Sequence, residues 1–217
     1  MAVLPRLLAR GPWSPDRVEV FWRDDRFEPS AELSARADAE VDALRERGSP
    51  SHDGLAGRLA GYGTGDDLLE LELQPARWAL RLVEGEANDS LTALCVVRSA
   101  DGRWLAGRRA SWVSSWRDRW VLGAGGGVEV GESPVSTLSR ELWEEWQLEP
   151  DELRVEALIR LPNGMAMLVG LATVAADSEP IPDDEHEEFA WWPASVSSWP
   201  READIRLRLM GKMLARQ

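Results

Sequence analysis

The sequence predicts an α/β fold, because segments with strand character and segments with helix character alternate along its 217 residues. Segments with apolar runs or apolar–polar alternation, which are typical of strands, recur from residue 16 to residue 192. Amphipathic segments at 133–147 and 201–216 predict two helices in the second half of the chain. With 44% hydrophobic and 29% charged residues, the chain suits one globular domain with a sizeable extension.

The first 88 residues predict an N-terminal strand-and-helix extension. Residues 16–22 alternate like a strand, and Ser30 opens a helix that Gly48 ends. The alternating segment 66–74 predicts another strand, whereas the five glycines between residues 54 and 65 predict turns. We place the extension at 1–88 and the main domain at 89–217, because the polar stretch NDS separates the two parts.

The main domain begins with a change in character at Leu91. Six segments are predicted strands, because they are apolar and bounded by turn residues or glycines. They are residues 91–99, 103–109, 119–127, 155–161, 165–174 and 189–192. Ser133 and Pro134 provide a capping residue and a first helical residue for the helix that runs to about Gln147.

Charge and cysteine content limit the class of protein. A net charge of −13 argues against duplex nucleic acid or an anionic membrane as partner. The single cysteine, Cys95, excludes an intramolecular disulfide, and its apolar strand predicts an inert core position. The first residues make a poor signal peptide, and no run of eighteen apolar residues occurs. We therefore expect a soluble, cytoplasmic protein.

Three glutamates crowd one side of the 133–147 helix. Glu141, Glu144 and Glu145 are related by three and four residues, so their carboxylates repel one another by about a few tenths of a kcal/mol per pair. Arg140 offsets part of this repulsion through its own spacing to Glu144. Mg²⁺ removes the repulsion, because it prefers hard oxygen ligands and is completed by substrate phosphates. The apolar face of the same helix consists of Val135, Leu138, Leu142 and Trp146.

These residues form part of a longer motif, G-x5-E-x7-R-E-U-x-E-E-x-x-U, in which U is a bulky apolar residue. Its positions are Gly126, Glu132, Arg140, Glu141, Leu142, Glu144, Glu145 and Leu148. The motif resembles the signature box of the Nudix hydrolases, G-x5-E-x7-R-E-U-x-E-E-x-G-U, and the resemblance extends over roughly residues 90–195. Two positions depart from the family pattern. Gln147 replaces the glycine near the helix end, where it either lengthens the helix or strains its end, and Ala124 replaces a frequent proline.

The resemblance implies a fold, an activity and a set of site residues. The fold is an α/β/α sandwich with a mixed sheet. The activity is Mg²⁺-dependent hydrolysis of the diphosphate in a nucleoside diphosphate linked to another moiety, with Mn²⁺ as a substitute. The metal ligands are Glu141, Glu144, Glu145 and the Gly125 carbonyl. Arg140 and Glu132 are the pair that orients these ligands.

Two further groups of residues are candidates for the site. The acidic loop 183–188 is interpreted either as the source of the general base, with Glu185 the first choice and Glu188 the second, or as a solvated surface loop. The glycine bend and the loop before it offer phosphate-binding and base-stacking groups, although buried tryptophans with solvated arginines are the favoured interpretation of that loop. This second group consists of Gly126, Arg108, Arg109, Trp112, Trp116 and Arg117.

Several alternatives stay open at this level. We expect residues 1–88 to bind the rest of the substrate or to form a homodimer. His52 and His186 are expected to be surface residues, because no zinc or triad spacing includes them. The alternative function is a catalytically weak or inactive Nudix-fold sensor of nucleotide metabolites, with Gln147 as a sign of relaxed constraint. An isomerase on the same fold is a third reading.

Overall fold

The computed structural model describes residues 4–49 and 53–215, which form two β-sheets and three α-helices. The strands are β1 (Arg6–Trp13), β2 (Val18–Trp22), β3 (Leu55–Gly65), β4 (Leu68–Arg77), β5 (Leu91–Ser99), β6 (Trp104–Arg109), β7 (Trp120–Leu122), β8 (Ala124–Gly127), β9 (Glu152–Arg160), β10 (Ala166–Val174) and β11 (His186–Trp192). The helices are α1 (Ala31–Glu46), α2 (Pro134–Trp146) and α3 (Ile205–Leu214), and a short 3-10 helix spans Trp78–Leu82. None of these helices has the length and apolar character that crossing a membrane requires.

The larger sheet is mixed. Its strands follow the order β1-β9-β10-β5-β6-β11, with β8 beside β5 and β7 beside β6. Strands β10 and β5 are parallel, and the other pairs in this sheet are antiparallel. The central strands are apolar on both faces, as expected for a sheet that is covered on both sides.

Two hydrophobic clusters cover the two faces of this sheet. Alternate residues of β5 divide between them, since Cys95 belongs to one cluster and Val96 to the other. The first cluster includes the apolar face of α2 and side chains of the smaller sheet. The second includes Trp199 and Leu214, the latter from α3. The predicted α/β/α sandwich with a mixed sheet is therefore confirmed, and Cys95 is buried as expected.

The smaller sheet, β2-β4-β3, contains a correction to the sequence-based prediction. The glycine-rich segment 54–65 was expected to form turns, but it contains the whole of strand β3, which pairs with β4 along its length. A side chain on Gly61 or Gly63 would lie 3.0 Å from the carboxylate of Glu72 or Glu70 on β4. These glycines therefore leave room for the glutamates of the neighbouring strand rather than reversing the chain.

The N-terminal part of the chain is joined to the main sheet at several points. Strand β1, which the sequence patterns did not reveal, pairs with β9 at the edge of the larger sheet. Leu59 and Leu71 of the smaller sheet share one core with Leu138 of α2. Helix α1 packs against the 3-10 helix in a separate cluster that includes Leu80. The segment assigned to the extension thus supplies one strand to the larger sheet and part of its core.

Candidate active site

The glycine bend before α2 is shaped by contacts that exclude side chains. Gly123 has a φ of 63°, and a Cβ added there would lie 1.9 Å from the Cys95 carbonyl oxygen. Glycine is the residue that adopts this conformation at little cost. Strand β8 then runs beside β5 and places Gly125 opposite Leu94 and Gly126 opposite Ala93.

Helix α2 is held at its start and along its apolar face. The Ser133 side chain accepts a hydrogen bond from the Val135 backbone N–H at 3.3 Å, and Pro134 is the first helical residue. Leu138, Leu142 and Trp146 are completely buried against the sheet. The Trp146 Nε1–H donates to the Gly123 carbonyl at 3.1 Å, so the helix is tied to the glycine bend. These contacts turn Glu141 and Glu145 toward β8.

Two carboxylates lie directly against the glycine bend. A Cβ on Gly126 would lie 2.0 Å from Glu141 Oε1, so the Glu141 carboxylate fills the space that any other residue there would need. Glu145 Oε1 accepts a hydrogen bond from the Gly125 N–H at 3.1 Å, and Glu145 is buried. Burial raises the pKa of Glu141 to about 7 and raises the pKa of Glu145 well above its ordinary value. A nearby cation would stabilise both carboxylates in their charged form.

Arg140 is the centre of an ion-pair network around these carboxylates. Its guanidinium donates to Glu132 at 2.9 Å, to Glu141 at 2.8 Å and to Glu144 at 2.9 Å. The hydrogen bonds to Glu132 raise the pKa of Arg140 above its ordinary range. Burial alone would raise the pKa of Glu132, but hydrogen bonds from Arg140 and Thr137 lower it. Glu132 thus holds Arg140, as the resemblance implies. The Glu144 side chain differs from those of Glu141 and Glu145 in being 53% exposed.

Helix α2 ends in the conformation that glycine usually provides. Gln147 lies in the left-handed region, with φ 51° and ψ 37°, and its N–H donates to the Trp143 carbonyl at 2.8 Å. Gln147 therefore does not lengthen the helix. Of the two expectations for this position, the structure agrees with a strained helix end, because a residue with a side chain takes the left-handed conformation. The acidic loop completes this end, because the Asp183 N–H donates to the Glu145 carbonyl at 3.0 Å.

Arg109 brings Glu185 to the buried carboxylates. Its Nη1 lies 2.8 Å from Glu185 Oε2 and 3.8 Å from Glu145 Oε2, and its side chain is 11% exposed. The neighbouring Arg108 instead forms ion pairs with Glu187, at 2.7 Å, and with Glu188. Adjacent residues of a strand point to opposite faces, which separates the two arginines. Glu185 is thus beside the site, whereas Glu188 and Arg108 are paired with each other.

His186 is buried, and its predicted surface position is wrong. Its Nδ1 lies 3.2 Å from Asp183 Oδ1 and its Nε2 lies 3.6 Å from Glu145 Oε2. Its ring packs 4.4 Å from that of Trp146. A bulge in β11 between His186 and Glu188 breaks the alternation of inward and outward residues, so the sequence pattern did not reveal this position. His52 lies outside the described residues.

The remaining predicted substrate-binding residues lie on the loop between β6 and β7. Trp112 is partly buried, and Arg117 is exposed. Trp116 is exposed, and its ring lies 5.4 Å from the Arg206 guanidinium of α3. A role for these three residues in substrate binding stays a prediction, as does that of Arg108.

Two residues of the 3-10 helix lie at the site without having been singled out in the sequence. Arg81 Nη1 lies 3.0 Å from the point that a Cβ on Gly127 would occupy, and atoms of the Trp78 ring lie 3.9 Å from the same point. No motif includes either residue. The pairing of β3 with β4 and the packing of the smaller sheet, both of them long-range contacts, carry these residues to the glycine bend.

The donor set suits a divalent cation that prefers oxygen ligands. Glu145 is buried and Glu141 is largely buried, both carboxylates have raised pKa values and lie against neighbouring glycines, and the Gly125 carbonyl belongs to the same strand. Within residues 4–49 and 53–215, no three acidic, histidine or cysteine side chains already surround one metal-sized point. Glu144 is turned to Arg140 instead, so binding by all three glutamates requires its side chain to rotate.

Two surface clefts lie away from these residues. One, of about 550 Å³, lies between β1 and the turn that joins β3 to β4, and it includes Trp13 and Asp67. The other, of about 340 Å³, includes Asp89 and Arg160, which form an ion pair at 2.6 Å. Neither contains the buried carboxylates. Burial and charge, rather than cavity size, therefore identify the candidate site.

Comparison with solved structures returned proteins of low sequence identity. A MutT protein from Methanosarcina mazei Go1 is 23% identical, with a TM-score of 0.44, over 58% of this chain and 95% of that chain. The NUDIX domain of Shewanella oneidensis NrtR, in complex with ADP ribose, is 17% identical, with a TM-score of 0.44, over 57% and 87%. An Ap4A hydrolase from C. elegans is 16% identical, with a TM-score of 0.41, over 57% and 92%.

Comparison with protein families gives the assignment. No curated protein matches the chain significantly. The family model of the NUDIX domain matches residues 89–209, a range that contains the glycine bend, α2 and the acidic loop. This range is more than half of the chain, and the chain therefore belongs to the Nudix family.

Proposed function

We propose that the protein is a cytoplasmic pyrophosphohydrolase, which hydrolyses the phosphoric anhydride of a nucleoside diphosphate joined to another group such as a sugar. One observation carries the proposal: the buried carboxylate of Glu145 and the largely buried carboxylate of Glu141, whose side chain is 12% exposed, lie against Gly125 and Gly126, with Glu185 beside them through Arg109. Buried carboxylates with raised pKa values are typical of functional sites.

Mg²⁺, or Mn²⁺ in its place, would be held by Glu141, Glu144, Glu145 and the Gly125 carbonyl; when bound it lowers the pKa of water and neutralises charge on the leaving phosphate. Arg140 is already bonded to Glu141 and Glu144, and Glu132 anchors it. Arg140 therefore keeps both side chains within reach of one another.

The chain's own residues can remove the proton that hydrolysis releases. A bond forms between a water oxygen and phosphorus, and the bond from phosphorus to the bridging oxygen breaks. Glu185 takes the water proton, since Arg109 holds its carboxylate beside Glu145 while its side chain stays 37% exposed. Arg109 is shared by Glu185 and Glu145, so a substrate phosphate that takes over its guanidinium frees Glu185 to act as a base.

The second candidate is a binding module for nucleotide metabolites. The observation that favours it is the lack, within the described part of the chain, of three side chains already converging as a metal site. In such a module Arg140 would stay bonded to Glu141 and Glu144, and the nucleotide would bind without turnover.

A substrate screen separates the two functions. Purified protein with Mg²⁺ is incubated with nucleotide sugars, ADP-ribose, dinucleoside polyphosphates and nucleoside triphosphates. Phosphate release after phosphatase treatment measures hydrolysis, and Glu145→Gln is the matched control. Hydrolysis of at least one anhydride by the wild type alone supports the enzyme. No hydrolysis, together with a ligand that raises the melting temperature, supports the binding module.

A further inference from the structure

The 3-10 helix Trp78–Leu82 places one arginine at the edge of the glycine bend. Arg81 Nη1 lies 3.0 Å from where a Cβ of Gly127 would be, and Gly127 directly follows the glycine that Glu141 covers. The Arg81 guanidinium also lies over the Trp78 ring, at 5.6 Å from its centroid. The arginine is partly buried rather than free in solvent.

Arg81 differs from the other arginines of the site in its partners. Arg109 forms ion pairs with Glu145 and Glu185, and Arg140 forms ion pairs with three glutamates. Arg81 forms no hydrogen bond and no ion pair within 4.0 Å of any residue that the structure describes. Partial burial of a cation without a partner costs the fold free energy. Such a position favours a partner that arrives from outside the chain.

The position of Arg81 is fixed by contacts between the N-terminal part and the Nudix box. The Gly57 N–H donates to the Val128 carbonyl at 2.7 Å, and the Trp22 Nε1–H donates to the Glu132 carbonyl at 3.1 Å. Leu80, the residue before Arg81, is completely buried. The guanidinium is therefore held near the acidic cluster by a rigid support, as a binding group requires.

The charges around Arg81 agree with a role in anion binding. Burial lowers the pKa of its guanidinium, and the Glu141 carboxylate acts in the opposite direction. Glu141 and Glu145 would be neutralised by a bound cation, which leaves Arg81 as an uncompensated positive group. A guanidinium presents two parallel N–H groups that match two phosphate oxygens.

We infer that Arg81 binds phosphate oxygens of the substrate, so that the N-terminal part of the chain completes the diphosphate site of the Nudix domain. The Trp78 ring, which lies beside the same glycine, packs against one face of the Arg81 guanidinium. The inference rests on the proposed function, because it assigns the diphosphate of that substrate to a named group. It also gives residues 1–88 a defined role, which is substrate binding through the 3-10 helix.

The test measures binding of methylenediphosphonate, a diphosphate that cannot be hydrolysed, in the presence of Mg²⁺ by isothermal titration calorimetry. Arg81→Gln should weaken binding about 10- to 100-fold, the usual effect of losing hydrogen bonds to a charged group. Arg81→Lys should lose less, because it keeps the charge but not the paired N–H groups. On the best substrate of the screen, Arg81→Gln should raise KM more than it lowers kcat.

Arg98→Gln is the matched control. Arg98 also lies over a tryptophan, Trp104 at 5.0 Å, and is partly buried, but it stands at the other end of β5 from the residues that pair with β8. Its variant should bind the diphosphonate as the wild type does. Equal affinity of Arg81→Gln and the wild type overturns the inference.

A second measurement uses the wild-type chain and covers the case in which Arg81→Gln does not fold. Phenylglyoxal modifies arginine side chains, and mass spectrometry reports the modification of Arg81. Methylenediphosphonate with Mg²⁺ should slow modification of Arg81 at least tenfold and leave that of Arg98 unchanged. Equal rates with and without the diphosphonate overturn the inference. A wild-type chain that binds the diphosphonate through Arg81 but hydrolyses nothing overturns only the enzymatic function.

Discussion

The glutamates of helix α2 and the acidic residues of segment 183–188, which was expected to be a loop but enters strand β11 at His186, have similar charge but different surroundings. Glu141 and Glu145 are packed against the glycine bend, and burial raises their pKa values. Glu187 and Glu188 are exposed and already paired with Arg108. Clustered negative charge therefore marks a site only where burial leaves it in need of a cation, and exposed glutamates that already have an arginine partner have no such need.

Two glutamates differ from their neighbours in sequence in how close they lie to the buried carboxylates. Glu144 is on α2, yet its side chain is mostly exposed and bonded to Arg140. Glu185 is on the loop, yet Arg109 connects it to Glu145. The comparison between helix and loop is therefore tested most sharply at these two residues.

The largest effect is expected from Glu145→Gln. This change removes a buried charge that a cation would neutralise, while the apolar face of α2 stays intact. The value of kcat should fall by orders of magnitude, more than the roughly 10²–10⁴-fold typical of a lost general base. Glu144→Gln should also lower kcat by orders of magnitude if its side chain rotates onto the metal. Both are measured by steady-state kinetics with Mg²⁺, with the exposed Glu149→Gln as control.

Unchanged turnover in folded Glu145→Gln would contradict the assignment of the metal site. Unchanged turnover in Glu144→Gln alone would limit the site to the two glutamates that the structure already places against the glycine bend.

The next effect is expected from Glu185→Gln, which should lower kcat by roughly 10²–10⁴-fold with nearly unchanged affinity for substrate and Mg²⁺. The physical reason is that Glu185 lies beside the buried carboxylates but is itself accessible to water. Glu188 is the second candidate for the general base, so Glu188→Gln is measured as well. Glu187→Gln should lower kcat by less than tenfold. If no substitution of an acidic residue in segment 183–188 lowers kcat at least tenfold, the base lies elsewhere in the protein.

The pH dependence of stability tests the burial of Glu141. Its pKa is about 7 in the folded protein against 4.5 for the ordinary group, so the folded state holds the proton more tightly. The free energy of unfolding therefore falls as pH rises from 4.5 to 7 and levels off above pH 7. At about 1.4 kcal/mol per pKa unit, the contribution of this group is at most roughly 3–4 kcal/mol.

Urea unfolding at pH 5 and pH 7.5 in EDTA measures this contribution as the difference between the wild type and Glu141→Gln. The wild type should lose stability relative to the variant at the higher pH. Saturating Mg²⁺ should restore much of that loss, because metal binding favours the ionised carboxylate. A difference that is the same at both pH values would show that Glu141 titrates normally.

The smallest effect is expected from Gln147→Gly. Replacing Gln147 by glycine removes about 1 kcal/mol of strain from the folded state, because glycine adopts the left-handed conformation freely. Part of this gain in stability is lost, because glycine has more conformational entropy in the unfolded chain. Thermal unfolding should show a melting temperature that is equal or a few degrees higher, with activity little changed. Gln147→Ala, which keeps the left-handed strain, should give no gain. A large gain in activity for the glycine variant would instead favour the binding module.

The local order of the Nudix box could be predicted from the sequence, because its interactions span only a few residues. Ser133 and Pro134 mark the start of α2, and a helical period of 3.6 residues separates its apolar face from its glutamates. Glu132 and Arg140 were expected to pair, and they do. Strand β1 and the glycine-containing β3 were missed, since both depend on pairing with distant strands.

The sequence by itself determined that three glutamates, one arginine and a glycine bend lie within one short segment. Only the tertiary structure decided that Glu145 is buried while Glu144 is exposed, and that His186 and Arg81 join the site. The reason is physical: the spacing of residues on a helix follows from the geometry of the backbone alone. Burial and strand pairing, in contrast, depend on which remote segments pack together, and a bulge of one residue is enough to reverse which side chains point inward.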